Sequence, residues 1–360
     1  MKGGALLGQG TFGCVFSPPL LCKTKPSSYK GKKGEVGKIT QPIDIVNEIT
    51  AAKILKDVKG NYFVLPNPDS VCSPSDIYKQ PDVKSIEECT FIKEADQEGV
   101  VHFTMPYGGV AIRKIFNPAK PISNAPINLF RFATHILEGG VQLALHGYVH
   151  YDIHQENVLI DPKTMLPKFI DFGMSFSSNN ITKQVLDERW KVYSPDYNPE
   201  PPEVTCITAV RKKMQVKDVL HDILKGRPIL QEVEKILGIS KETQILSLIK
   251  FWNSSKVIES KDWVKFFQLY WTSFDSWGIG VVILTLIRMT IPFYSSYSAI
   301  PNIAILKDLS KGLLCLDPRE RLDCVEALSL LDPENKLIHS SAGKAWMKTR
   351  AEIRAAIKKL

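Results

Sequence analysis

The chain has 360 residues, long for one compact domain and natural for two. Hydrophobic residues make up 44% and charged residues 23%, which excludes a disordered or low-complexity chain and allows a sizeable core. Lys and Arg outnumber Asp and Glu by 46 to 38, a net charge of +8, which suits anionic partners but is too mild to assign one.

Seven cysteines are scattered without a CxxC pair or a CxxC…HxxxH spacing. Neither a disulfide framework nor a structural zinc site is therefore expected, and a reducing compartment fits. The segment MKGGALLGQG lacks the apolar run of a signal peptide. The most apolar stretch, GIGVVILTLI (278–287), ends at Arg288, is too short to span a bilayer, and reads as a buried helix. The expectation is a soluble, cytoplasmic protein with no membrane span.

Residues 5–16 alternate and carry glycines, which predicts strand, tight turn, strand. Within them GQGTFGCVF (8–16) spaces Gly8, Gly10 and Gly13 ahead of Val15. Glycines of this kind let backbone N–H groups approach phosphates. On its own the pattern is weak, because turns and dinucleotide-binding units share it, but the latter need a helix where this chain has a second strand. Residues 18–34, with Pro18, Pro19, Pro26, Gly31 and Gly34 among lysines, predict an exposed loop. EVGKIT (35–40) is a short strand carrying Lys38. Residues 44–57 space Ile45, Ile49, Ala52 and Leu55 as a helix, with Glu48 ten residues after Lys38 and able to pair with it.

Residues 66–88, rich in Pro, Asp and Ser, predict a loop insertion. Strands are expected near 89–95 and 100–106, with a turn at Asp96–Gly99. FTMPYGG (103–109) then leads through Gly108 and Gly109 into a helix-rich remainder, an organisation that argues for two lobes with a cleft between them. A long helix is predicted over 126–147, with short strands near 157–160 and 166–170.

GYVHYDIHQENVLI (147–160) holds His150, Asp152 and Asn157 between an apolar entry and an apolar strand. Asp152 can accept the proton of an incoming hydroxyl, and Asn157 can offer a neutral oxygen to magnesium. FIDFG (169–173) adds Asp171, a hard oxygen ligand. Each has a bland reading, a brace or a turn; their shared order and spacing argues against coincidence.

This order, GxGxxGxV, strand Lys, helix Glu, HxDxxxxN, DFG, resembles the eukaryotic-type protein kinase family. The likeness continues in RFATHILEGGVQLALHGYVHYDIH (131–154), YNPEPPEV (197–204), FDSWGIGVVILTLI (274–287) and LDPRERLDCVEAL (316–328), and covers roughly 5–332 apart from insertions. It implies an α+β, bilobal kinase fold: an N-lobe with a small antiparallel sheet (1–107, insertion about 66–88), a mostly helical C-lobe (108–335, helical insertion about 206–270), and a basic C-terminal helix (336–360). The implied activity is transfer of the γ-phosphoryl group of ATP to Ser/Thr hydroxyls of a protein substrate, with Mg2+ as cofactor.

By the same resemblance, Asp152, Lys38, Asn157 and Asp171 are catalytic, with Asn157 and Asp171 holding the metal. ATP would rest on Gly8, Gly10, Gly13, Val15, Lys38 and Glu48, and at a hinge of Met105, Pro106 and Gly108. Pro106 lacks an N–H, so it would offer only its carbonyl to adenine while Gly108 supplies the N–H. Asp275 would brace the catalytic loop and Arg321 would pair with Glu203. The loop lengths resemble those of kinases carried by large DNA viruses, which would place the protein in host cytoplasm or virion.

Three departures stand out. Tyr151 replaces the Arg that pairs with a phosphorylated activation loop in many regulated kinases. His154 replaces the Lys that steadies the γ-phosphate in Ser/Thr kinases, and its H-x-D-x-H pattern resembles small-molecule kinases, one alternative; a pseudokinase binding module is another. Asp275 lies far beyond Glu203, leaving 206–270 as an insertion where a regulatory partner could dock or which could be a decorative subdomain. GKAWMKTRAEIRAAIKKL (343–360) is a basic helix, read as a solvated helix packed on the large lobe; no nucleic-acid site is predicted.

Overall fold

The computed structural model describes residues 5–10, 13–23, 34–76, 80, 82–94, 99–116 and 127–357. The chain is α+β and divides into two compact units. The smaller comprises Met1–Gly109 and Phe169–Ser175; the larger comprises Val110–Lys168 and Phe176–Leu360. The short return of 169–175 to the smaller unit was not legible in the sequence. The apex of the glycine hairpin at 11–12, most of the 18–34 loop and most of the turn at Asp96–Gly99 lie outside the described residues.

The smaller unit is built on an antiparallel sheet in the order β1 (Ala5–Gly10), β2 (Gly13–Ser17), β3 (Glu35–Thr40), β4 (Val101–Pro106). All six residues of β3 are buried, as a central strand covered on both faces requires. One face packs Val36, Phe103 and Met105 with Ile45 and Val64. Ile45 comes from the helix Pro42–Leu55, which starts with Pro at its first position, where the missing N–H costs nothing. That helix buries Ile45, Glu48, Ala51, Ala52 and Leu55, so one carboxylate sits on its core face.

The opposite face corrects two expectations. Residues 89–94 form no strand; Val83–Glu87 and Thr90–Glu94 are short helices. Ile86, Cys89 and Ile92, three residues apart, join Cys14, Phe16 and Ile39 in one cluster. A short apolar run cannot be told from a strand by periodicity, and here packing decides. Second, the cysteines do pair: Cys14 with Cys89 and Cys22 with Cys72. Their sequence separations, 75 and 50, carry no local spacing signal. Closing loops of that length removes about 4 kcal/mol of unfolded-chain entropy each.

The larger unit centres on the helices Leu129–Leu145, Thr272–Thr290 and Cys324–Leu331. Asn128 caps the first by accepting the Arg131 N–H at 3.0 Å. Gly140 sets the closeness of this packing, since a Cβ there would lie 2.6 Å from Cys324 Sγ and 2.8 Å from Ile279 Cδ1. Thr272–Phe293 is, among the described residues, the one helical stretch long and apolar enough to cross a membrane, and 67% of it is buried as the core of this unit. Trp277 at its centre is fully buried. Two small strand pairs lie in the unit: Val110–Ala111 with Val158–Ile160, and Tyr148–Val149 with Phe176–Ser177.

Residues 202–270 fold as six helices, Pro202–Arg211, Val216–Gly226, Pro228–Leu237, Lys241–Ser254, Lys256–Glu259 and Trp263–Tyr270. They are not a detached ornament. Arg227, between the second and third, is 2% exposed and donates to Pro195 O (2.8 Å), Glu200 O (2.8 Å) and Thr205 Oγ1 (2.9 Å). Asn198 Oδ1 accepts the Ile229 N–H at 2.9 Å. The basic helix Ser341–Ile357 also turns cations inward: Arg350 pairs with Asp323 at 3.1 Å, Arg354 with Glu326 at 2.5 Å, and Trp346 Nε1 donates to Asp323 Oδ2 at 3.0 Å.

Glu203 and Arg321 form a bidentate ion pair at 2.7 and 2.9 Å with both side chains 0% exposed. Arg321 also donates to Cys315 O and Ser273 O and lies 4.9 Å from the Trp277 ring centroid. Removing one partner strands a buried charge, so Arg321→Met should destabilise the larger unit by about 3–5 kcal/mol. The double variant Glu203→Leu/Arg321→Met should recover at least half of that loss in urea unfolding; a double variant as unstable as the single would show that the hydrogen bonds of Arg321 to backbone dominate.

Candidate functional site

The sequence-predicted residues fall in two groups, one in each unit. In the smaller unit the centre is Lys38. Its position on β3 places it opposite Val15 on β2 and Phe103 on β4. Its ammonium donates to Glu48 Oε1 at 2.6 Å and Asp171 Oδ1 at 2.9 Å. Lys38 and Glu48 are 6% and 2% exposed. Burial alone disfavours the ammonium charge, but Asp171 and Glu48 outweigh it and hold the Lys38 pKa above its ordinary value. Burial likewise pushes the Glu48 carboxyl up, opposed by Lys38.

Asp171 adopts φ +63°, the left-handed region that Asp tolerates better than most residues. Its Oδ1 also accepts the Gly173 N–H at 3.4 Å. Asn47, one residue before Glu48 on the same helix, donates to Gly173 O at 2.6 Å. The 169–175 segment is further fixed by Phe63, which contacts Phe169 and Phe172, and by paired backbone bonds, Val64 N to Phe169 O and Phe169 N to Tyr62 O.

The glycine hairpin belongs to the same unit. Gly8 pairs with Val15 and Gly10 with Gly13, with a bulge between Leu6 and Gly8. Nothing would touch a Cβ at Gly8 or Gly10, whereas one at Gly13, φ +151°, would lie 2.0 Å from Ile39 O. Gly13 is thus required by the β2–β3 approach, and Gly8 and Gly10 leave bare backbone on the exposed strand β1. At the far edge Met105 is buried, Pro106 ends β4 opposite Glu35 and is exposed, and Gly108 is buried. Every residue assigned to ATP therefore lies in this unit, and so does Asp171.

In the larger unit the centre is Asp152. The loop carrying it is held by Asp275 on the core helix, which accepts the N–H of His150 at its Oδ2 and of Tyr151 at its Oδ1, both at 2.8 Å. Burial raises the Asp275 pKa, opposed by His150 and these two N–H groups. Tyr151 sits at φ +65°, a strained backbone for an aromatic residue, and its buried ring packs among Phe176, Phe267 and Phe274.

Four donors converge on the Asp152 carboxylate. Oδ1 receives Lys191 Nζ at 2.6 Å and Tyr197 Oη at 3.3 Å. Oδ2 receives Asn157 Nδ2 at 3.1 Å and faces His154 Nε2 at 3.4 Å. His154 Nδ1 accepts the Glu156 N–H at 3.2 Å, which assigns the ring proton to Nε2, directed at Asp152. Burial opposes ionisation of Asp152, yet His154 and Lys191 hold its carboxyl far below the usual carboxylate range. Asn157 Nδ2 also donates to Asp152 O at 2.9 Å, leaving the amide oxygen as its ligand atom.

Lys191 and Tyr197 were not assigned to this group from sequence. Lys191 also donates to Tyr151 O at 3.2 Å, and its ammonium lies 5.2 Å from the Tyr151 and 5.4 Å from the Tyr197 ring centroids. Tyr197 is in turn held within the 195–205 segment that Arg227 binds.

Chemically, the first group is a fixed ammonium between carboxylates, suited to polyphosphate and a hard cation. The second is an anionic carboxylate with an oriented amide and a neighbouring cation, suited to directing a hydroxyl. No protein-family model matches the chain, and no curated protein matches it.

The brace on the Asp152 loop can be tested directly. Asp275→Ala leaves two buried N–H donors without an acceptor, at about 1–3 kcal/mol each. Hydrogen–deuterium exchange at residues 148–153 should accelerate by about tenfold or more, with a smaller change in Asp275→Asn, which keeps one oxygen. Unchanged exchange in Asp275→Ala would show that Asp275 does not hold the loop.

Proposed function

We propose that this chain is a protein kinase of bilobal fold that transfers the γ-phosphoryl group of ATP, with magnesium, to Ser or Thr hydroxyls of a protein substrate. The observation that carries the reading is the buried Lys38 ammonium held by Glu48 at 2.6 Å and Asp171 at 2.9 Å in a unit that also holds the glycine hairpin. A charge that costly to bury is retained for an anionic ligand more readily than for stability.

Magnesium-bound ATP supplies the transferable phosphoryl group and the cation that neutralises it. Lys38 would hold the α- and β-phosphates, the backbone at Gly8, Gly10 and Gly13 would cover them, and Val15 and Met105 would lie against adenine. The Pro106 carbonyl and the Gly108 N–H give adenine its edge contacts. Asp171 and Asn157 are the residues that would offer oxygens to the metal. Asp152, kept anionic by its four donors, orients the hydroxyl and takes its proton late, since so acidic a carboxyl is a weak base. Lys191, paired with Asp152 at 2.6 Å, would stand in for the lysine that His154 replaces.

Ser/Thr acceptors are favoured because the loop ends in Gln155-Glu156-Asn157 and lacks the Arg of tyrosine-specific loops. The H-x-D-x-H pattern keeps a small-molecule kinase as the second reading, and the His154–Asp152 contact at 3.4 Å is the observation in its favour. Labelled γ-phosphoryl transfer from ATP to casein or myelin basic protein, run beside a panel of choline, sugars and aminoglycosides, separates them. Label on protein supports the proposal, label on a small molecule supports the alternative, and ATP binding without transfer indicates a binding module.

At saturating ATP and magnesium, Lys38→Met, Asp152→Ala and Asp171→Ala should each lower phosphotransfer about a thousandfold, and their double combinations little further, because residues of one unit act non-additively. Lys191→Met should cost about tenfold to a hundredfold. Near-wild-type rates in Asp152→Ala or Asp171→Ala would sink the reading.

Regulation follows from Tyr151, whose ring is buried in an aromatic cluster where other kinases present a cation. Lys191 is engaged with Asp152 and Arg189 with Glu188. Activity should therefore be independent of activation-loop phosphate. Phosphatase treatment, followed by removal of the phosphatase, should leave initial rates within about threefold. A loss of about tenfold, reversed by rephosphorylation within 174–196, would overturn this.

A further inference from the structure

A second constellation lies in the smaller unit, apart from the residues assigned to phosphotransfer. Cys22 follows β2, Cys72 belongs to the 66–88 insertion, and His102 is on β4. Their metal-ligating atoms all lie within 4.8 Å of one another. The three segments are fixed by backbone hydrogen bonds. Cys72 and His102 exchange N–H···O bonds at 2.8 Å in both directions, Lys23 N donates to Ser73 O at 2.9 Å, and Ser75 N donates to Leu21 O at 2.7 Å. Gln80 clamps Leu21 from the side, accepting its N–H at 2.8 Å and donating to its carbonyl at 3.0 Å.

His102 is 1% exposed and has an unmet need. Its Nδ1 faces Cys72 Sγ at 3.6 Å and Cys22 Sγ at 4.0 Å, and its Nε2 is buried without a hydrogen-bond partner among the described residues. Gly37 makes room for the ring, since a Cβ there would lie 2.1 Å from Nε2. With the proton on Nε2, the Nδ1 lone pair points at two sulfurs that, as a disulfide, have no proton to give. A cation would satisfy that lone pair.

We propose that Cys22, Cys72 and His102, once the Cys22–Cys72 bond is reduced, form a binding site for a thiophilic divalent cation, zinc by its donor set, that clamps the 66–88 insertion to the sheet. In tetrahedral zinc the Zn–S and Zn–N bonds, about 2.3 and 2.0–2.1 Å, put a nitrogen and a sulfur ligand about 3.5 Å apart and two sulfurs about 3.8 Å apart. The observed nitrogen-to-sulfur distances of 3.6 and 4.0 Å are already close to this. Only the sulfur–sulfur separation must grow, which side-chain rotation can supply. Two sulfurs and one nitrogen leave a fourth position for water.

The step balances. A dithiol reductant gives two electrons and two protons, the Cys22–Cys72 bond breaks, two thiols form, and the reductant becomes a disulfide. Zinc then displaces both thiol protons and binds two thiolates. The same three side chains thus cross-link the unit by a covalent bond when oxidised and by a metal when reduced. This inference is independent of the phosphotransfer reading.

The test uses the full chain, reduced anaerobically with a phosphine, which becomes phosphine oxide at the expense of water and is removed. Titration with Co2+ should give a sulfur-to-cobalt charge-transfer band saturating at one equivalent, absent in the oxidised protein and lost on adding Zn2+. Cys72→Ser should abolish the band and His102→Gln should weaken binding about tenfold or more. Cys14→Ser/Cys89→Ser should retain it. Because a variant can fail to fold, the wild type carries a second readout: Zn2+ should slow alkylation of Cys22 and Cys72 about tenfold and leave Cys14 and Cys89 unchanged. No charge-transfer band in the reduced chain, equal alkylation with and without zinc, or a Cys22–Cys72 bond that resists reduction while the chain stays folded would each overturn the proposal.

Discussion

The smaller unit is organised around one costly interaction, an ammonium buried between two carboxylates. Lys38 cannot leave water unless Glu48 and Asp171 are already in place, and three separate pieces of chain must agree to put them there. The agreement explains features that look unrelated. β3 is buried on both faces, the following helix turns Glu48 inward where an apolar residue would normally sit, and 169–175 returns to this unit and accepts a left-handed backbone at Asp171. Aromatic contacts of Phe63 and the Asn47 bond to Gly173 hold that return in place.

The larger unit solves the converse problem, keeping a carboxylate charged while largely buried. Asp152 does so by collecting donors from its own loop, His154 and Asn157, and from the 191–197 stretch, Lys191 and Tyr197. The loop's backbone strain at Tyr151 is borne by Asp275 and by an aromatic cluster. The fixed positive charge at this carboxylate comes from Lys191, 39 residues along the chain.

How much of this could be read from the residues depended on range. The order of Gly8, Gly10, Gly13, Lys38, Glu48, Asp152, Asn157 and Asp171 was legible because each sits in a local pattern of turns, strands and a helix. So was the helical character of 206–270, from its 3.6-residue apolar spacing. The strand expected at 89–95 failed because TFIKE is β-branched and apolar enough for either state, and a cysteine bond together with the Ile86–Ile92 face settles it as helix. The cysteine pairs themselves were invisible, since partners 75 and 50 residues apart leave no periodic trace.

Arg227 gives the helical region a thermodynamic role beyond packing. Its guanidinium joins the 206–270 helices to Pro195, Glu200 and Thr205, the stretch that also presents Tyr197 to Asp152. Any molecule that binds those helices and shifts Arg227 must change the free energy of whatever engages the Asp152 loop. Linkage makes such an effect reciprocal: the factor by which one ligand alters affinity for another at a coupled site is the factor by which the second alters affinity for the first. The 195–205 stretch is the shared element through which the helices and the Asp152 carboxylate would be coupled.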